Sequence, residues 1–137
     1  MSASQQLDRT TELGLFNYAR SFWEAGSYLI NVHPKNARHP HAPITMLLCQ
    51  AIELYLKSFL RLRGYSLEQL ANLGHRYKAL AKRAKTNGLA IADRDEQIIA
   101  FLADEEAFIQ SLYIQTGRKR MLDYVPASAR GHGDSLA

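Results

Sequence analysis

Apolar residues along this chain recur at helical spacing, and no stretch alternates as a strand would. Leu15, Phe16, Ala19, Phe22, Trp23, Gly26, Leu29 and Ile30 fall at i, i+1, i+4, i+7, i+8, i+11, i+14 and i+15. This predicts a single apolar face on a first helix from about Thr10 to Asn31. Gly26 interrupts that face at a cost of about 1 kcal/mol relative to alanine, and marks an expected close approach to another helix. Val32 to Pro43 reads as a loop, punctuated by Pro34, Pro40 and Pro43. A second helix is expected to begin at Pro43, a residue suited to the first helical position, and to stop at Gly64. Ile44, Met46, Leu47, Leu48, Ala51, Ile52, Leu54, Tyr55, Leu56, Phe59, Leu60 and Leu62 make it apolar nearly all round, the pattern of a helix at the centre of a core.

Ser66-Leu67-Glu68-Gln69 fits a capping box opening a short helix, about Leu67 to Asn72. His75 is then expected to open a further helix that closes at Asn87-Gly88, with Tyr77, Leu80, Ala81 and Ala84 inward and Lys78, Lys82 and Lys85 as a basic stripe. Asp93 and Glu96 form a second capping-box pattern, with acids where the helix dipole favours them. The helix they open is predicted to reach Thr116, with Ile98, Phe101, Leu102, Glu105, Ile109 and Leu112 on one face, widened by Phe108 and Tyr113. The expectation is an all-α, up-and-down bundle of four long helices plus one short one. It occupies residues 1–124 as one domain, with 125–137 as a flexible tail.

Composition narrows the class without changing this picture. A chain of 137 residues, 47% hydrophobic and 22% charged, suits one globular domain that buries its core without staples. The single cysteine, Cys49, lies in an apolar run and reads as a small buried hydrophobe. Met1 to Asp8 carries no signal-peptide pattern. Ile44 to Leu62 comes nearest to a membrane span but is interrupted by Gln50, Glu53, Lys57 and Arg61. A cytoplasmic protein without a membrane partner is expected.

Charge is more informative in its placement than in its sum of +4. Lys57, Arg61, Arg63, Arg76, Lys78, Lys82, Arg83 and Lys85 face only Glu68 over the same stretch. Asp93, Asp95, Glu96, Asp104, Glu105 and Glu106 then reverse the sign, and Arg118, Lys119 and Arg120 restore it. Two readings stay open: solvated helix faces, or a basic surface edged by Tyr65 and Tyr77 that takes RNA or nucleotide through phosphates and stacked bases. Arg118, Lys119 and Arg120 either extend that surface or favour a helix C-terminus through its dipole.

Other constellations are thinner. Glu53 and Lys57 stand at i, i+4 in the favourable order and read as a structural pair. His75 reads as a cap or packing residue, or, with Arg76, as a general acid/base beside the basic stripe. His33, His39 and His41 match no zinc spacing, so no metal and no cofactor is expected. Phosphate-binding glycine loops, G-x-S-x-G and H-E-x-x-H are absent from the sequence.

Ala51-x-Glu53-Leu54-x-Leu56-Lys57-Ser58-x-Leu60-Arg61-x-x-Gly64 resembles the second helix of HEPN domains, with its A-x-E-x-x-L-K-x-x-L core followed by glycine. Gly74-His75-Arg76-Tyr77-Lys78-Ala79-Leu80 is similar to the G-H-x-L-x-x-L element that often follows in that family. The resemblance spans about Leu13 to Tyr124. It implies a compact helical bundle that dimerises. It also implies either a non-catalytic RNA- or nucleotide-binding module, working with a minimal nucleotidyltransferase in a toxin-antitoxin system, or a metal-independent endoribonuclease. Nuclease members carry Arg, then four to six residues, then His. Arg20 and His33, Arg38 and His39, Arg63 and His75, Arg120 and His132, and Arg130 and His132 all miss that spacing. A non-catalytic module is therefore the first reading. A divergent nuclease using His75 with Arg76 or Arg118 is the second, and a helical protein-interaction module the third.

Overall fold

A computed structural model describes residues 9–32 and 34–115, with side chains to residue 112. The chain divides into two compact units, Met1–Glu106 and Ala107–Ala137. The described residues form five helices and no strand. They are α1 (Glu12–Val32), α2 (His41–Leu62), α3 (Leu67–Leu73), α4 (Tyr77–Thr86) and α5 (Asp93–Gln115). The protein is an all-α bundle, as its periodicity predicts.

α2 is the axle. No residue from Ile44 to Arg61 is exposed. It begins two residues earlier than expected, with Pro43 inside the first turn, where a missing N–H breaks no helical bond. It ends where glycine was expected to end it. Gly64 adopts a left-handed φ of 95°, and Tyr65 N–H returns to the Leu60 carbonyl at 3.0 Å. α2 is long and apolar enough, by length and composition, to cross a membrane, despite the charges that argued otherwise. Here Glu53, Lys57 and Arg61 are hydrogen-bonded within the protein.

α1 lies along α2 with Ala19 and Gly26 at the contact. A Cβ at Gly26 would come within 3.0 Å of Leu48 Cδ2, so the glycine does mark a close approach. The single broad face predicted for α1 splits in two. Leu15, Ala19, Phe22, Gly26 and Leu29 turn inward, whereas Phe16, Trp23 and Ile30 are exposed. The apolar arc is wider than the surface α2 offers.

α3 and α4 close the other side. Leu56, Leu60, Leu70, Leu73, Leu80, Ala81 and Ala84 form one buried cluster. The Ser66 capping box is complete: Gln69 N–H donates to Ser66 Oγ at 3.1 Å, and Ser66 N–H donates to Gln69 Oε1 at 2.8 Å. His75 does not open α4, which starts at Tyr77. Gly74 and His75 form a turn instead, because the histidine side chain is drawn sideways to α2.

α5 is rotated from its predicted orientation. Ile98, Phe101, Glu105, Phe108 and Leu112 are exposed, while Leu102 and Ile109 of the predicted face are half-buried, as are Ile99, Ala100, Ala103 and Glu106. Acids on α5 fix the rotation: Lys85 Nζ lies 2.9 Å from Glu96 Oε1, and the Tyr77 hydroxyl donates to Glu106. Glu96, which the sequence pattern pairs with Asp93, reaches Lys85 through Oε1. Tyr113, Arg118, Lys119, Arg120 and the expected tail fall outside the residues whose side chains are described.

Candidate functional site

Two polar groups sit on either side of α4. The first is interior. Glu53 is 3% exposed, and each of its oxygens has a partner. Lys57 Nζ donates to Oε2 at 2.9 Å, as the i, i+4 spacing anticipates, and His75 Nδ1 lies 2.5 Å from Oε1. The His75 side chain is otherwise open, at 75% exposure. Both carboxylate oxygens thus have polar partners, the condition under which a buried charge such as that shared by Glu53 and Lys57 is tolerated. Tyr77 and Cys49 lie close by. Burial pushes the Tyr77 phenol well above its usual range, and the Glu106 carboxylate that accepts its hydrogen bond adds to the shift. Burial likewise pushes the Cys49 thiol up to about 12, with Glu106 and then Glu53 contributing. The Cys49 Sγ–H donates to the Leu102 carbonyl at 3.4 Å. This thiol stays protonated at neutral pH, so it is the inert, buried cysteine that the sequence suggested.

The second group lines an open cleft of about 260 Å³ between α3 and α4, bounded by Tyr65, Gln69, Asn72, Leu73, Arg76 and Arg83. Arg76 and Arg83 are seven residues apart and project from one flank of α4. Arg76 donates through Nε to the Leu73 carbonyl at 3.2 Å and through Nη2 to the Asn72 carbonyl at 2.7 Å. It thereby satisfies the C-terminal end of α3. Arg83 Nη1 donates to the Tyr65 hydroxyl at 3.3 Å, and its guanidinium lies 5.9 Å from the ring centroid. Asn87 Nδ2 donates to the same hydroxyl at 2.9 Å. The Arg83 hydrogen bond, helped by Asn87 and by the Arg83 charge, holds the Tyr65 phenol below its ordinary range. Among the described residues neither Arg76 nor Arg83 is paired with a carboxylate.

The predicted basic surface is therefore divided. Lys78 and Lys85 leave the opposite flank of α4 and meet Asp104 at 3.6 Å and Glu96 at 2.9 Å. Lys82 stands exposed on that flank. Arg61 is withdrawn from the surface, with Nε donating to the Thr10 carbonyl at 3.2 Å and Nη1 to the Tyr65 carbonyl at 2.8 Å. Arg63 lies over the Phe59 ring. Tyr77 cannot serve as a stacking platform, since it is buried and tied to Glu106. His33 lies outside the described residues, whereas His39 and His41 are exposed. No group of three metal-ligating side chains gathers among the described residues.

No family model, curated protein or solved structure matches this chain.

Sequence reasoning placed Tyr65 at the edge of the basic surface but missed Gln69 and Asn72 as cleft lining and Asn87 as the second donor to the Tyr65 hydroxyl. Arg76, Arg83 and Asn87 do share one helical flank at i, i+7, i+11, and that spacing was the available signal.

Proposed function

We propose that this protein is a HEPN-like, non-catalytic helical module that takes the phosphate of RNA or of a nucleotide in the cleft between α3 and α4. One observation carries the reading: two guanidinium groups, without carboxylate partners among the described residues, share a cleft whose other polar lining is amide and phenol. A guanidinium offers several donors to phosphate oxygens, and Arg76 and Arg83 each retain N–H groups beyond those already used. Tyr65 supports this as a rigid wall rather than a base platform, because Arg83 occupies one of its faces. The two halves of the HEPN-like pattern also meet in space. Glu53 of the first half receives His75 of the second at 2.5 Å, which gives those residue types a common structural purpose. A minimal nucleotidyltransferase is the partner that this reading brings, through the resemblance alone.

The test is fluorescence anisotropy with labelled RNA over a salt series. Arg76→Ala with Arg83→Ala is expected to weaken binding at least tenfold and to flatten the salt dependence. Lys78→Ala with Lys85→Ala should change it by less than about threefold, since those cations are already paired. RNA binding that is absent, indifferent to salt, or equal in the two double variants overturns the reading.

A second reading has its own observation. His75 is held at Nδ1 by a buried carboxylate while its ring stays open to solvent, the arrangement of an oriented general base. If RNA is cut, and His75→Ala abolishes cutting while binding persists, the module is an endoribonuclease.

A further inference from the structure

His75 combines two properties that a packing residue does not need together. Its side chain is 75% exposed, yet its ring is anchored at one atom, with Nδ1 2.5 Å from Oε1 of the buried Glu53. Lys57 donates to the other oxygen of that carboxylate at 2.9 Å, so the anchor is itself held. The backbone that presents the ring is fixed on both sides. Gly74 takes a φ of 58°, which favours glycine, and its N–H closes α3 on the Leu70 and Ala71 carbonyls. Arg76 N–H returns to the Leu73 carbonyl at 3.4 Å, and its guanidinium bonds the same end of α3.

A carboxylate only accepts, so in the neutral ring the proton stands on Nδ1 and the lone pair on Nε2. Among the described residues Nε2 has no hydrogen-bond partner. His75 also lines neither the arginine cleft nor the apolar groove of about 460 Å³ bounded by Leu13, Phe16 and Leu62. A ring with a fixed tautomer, its nucleophilic nitrogen unpartnered and neither recess around it, suits a residue that is itself modified by an incoming donor. We infer that His75 is a phosphoryl-acceptor site, taking a phosphoryl group at Nε2 from a donor that carries it on nitrogen. The Nε2 lone pair bonds to phosphorus as the P–N bond of the donor breaks. That bonding pair stays on the departing nitrogen, which was protonated in the donor and leaves as the neutral amine. The transfer therefore needs no proton donor from this chain. The ring becomes an imidazolium with its proton still on Nδ1, and the new positive charge faces Glu53, where a negative group already stands. α4 begins two residues on without a side-chain cap, so its positive end favours the dianion added at His75. The inference draws on Glu53, Lys57 and His75 and not on the arginine cleft, so it stands independently of the proposed phosphate binding.

Incubation of the full-length protein with potassium phosphoramidate tests it, with the modified histidines mapped by peptide mass spectrometry at alkaline pH, where the P–N bond survives. His39 and His41 are internal references, being exposed and without a carboxylate partner among the described residues. His75 is expected to gain one phosphoryl group about tenfold faster than either. Glu53→Gln keeps the size of the anchor and removes its charge. In a variant that retains its helical circular dichroism, it should slow His75 about tenfold and leave the two references unchanged. Wild-type protein in urea keeps the test decisive if that variant does not fold: the preference for His75 should vanish with the helical signal. A His75 that is unlabelled, or labelled no faster than His39 and His41, overturns the inference. So does a folded Glu53→Gln protein that labels His75 at the wild-type rate, or a preference that survives in urea.

Discussion

The two flanks of α4 carry similar numbers of cations and use them in opposite ways. On the flank toward α5, Lys78 and Lys85 meet Asp104 and Glu96, and Tyr77 beside them is bound to Glu106. On the flank toward α3, Arg76 and Arg83 meet carbonyl and phenol oxygens and no carboxylate among the described residues. Lys78 and Lys85 are balanced by acids within the fold, whereas Arg76 and Arg83 are not, among the described residues. A positive run in sequence is therefore a poor measure of positive potential: what counts is which acids the fold brings alongside.

The largest effect expected from breaking this contrast is at the interior end of the first flank. Glu53→Ala removes the acceptor of both Lys57 and His75 and should cost about 3–5 kcal/mol, read as a lower urea midpoint. A loss below about 1 kcal/mol would mean that the buried pair does not order the turn before α4.

Alkaline pH should act on the same interior. Cys49 and Tyr77 both have folded-state values raised above their unfolded ones, so the folded protein holds these protons more tightly. Their contribution is complete below the unfolded values, about 8.5 for a thiol and about 10 for a phenol, and fades as pH rises. Stability should begin to fall near pH 9 and continue through about 12, where Cys49 titrates. Cys49→Ala should remove the earliest part of that fall. A midpoint constant from pH 8 to 11 would contradict this.

The arginine flank should respond in spectrum more than in stability. Arg83→Gln withdraws the hydrogen bond and charge that lower the Tyr65 phenol, so one tyrosine in an ultraviolet titration should move back up toward its ordinary range. Its folding free energy should change by about 1 kcal/mol or less. Smallest of all, Lys78→Ala should cost no more than about 0.5 kcal/mol, because both it and Asp104 are mostly exposed.

What could be read from sequence follows the range of the interactions concerned. The buried run on α2, the Ser66–Gln69 cap and the stop at Gly64 are set by neighbours within one helical turn, and local pattern identified each. His75 was misplaced because its conformation answers to Glu53, which is 22 positions away in the chain. The faces of α1 and α5 were misjudged for a related reason. Each helix carries two apolar stripes at heptad spacing, and periodicity cannot say which one a neighbour covers. On α5 that choice rests with Lys85 and Tyr77, residues of another helix. The divided cation surface belongs to the same category: Lys78 and Arg76 look alike in sequence, and only the position of α5 separates them.

Cys49 gives this protein a built-in gauge. The residue is 1% exposed and its sulfur is bonded to the backbone of Leu102, so a thiol reagent reaches it only when α5 lifts away from α2. The rate of labelling under native conditions therefore reports how often the bundle breathes, without any probe being introduced.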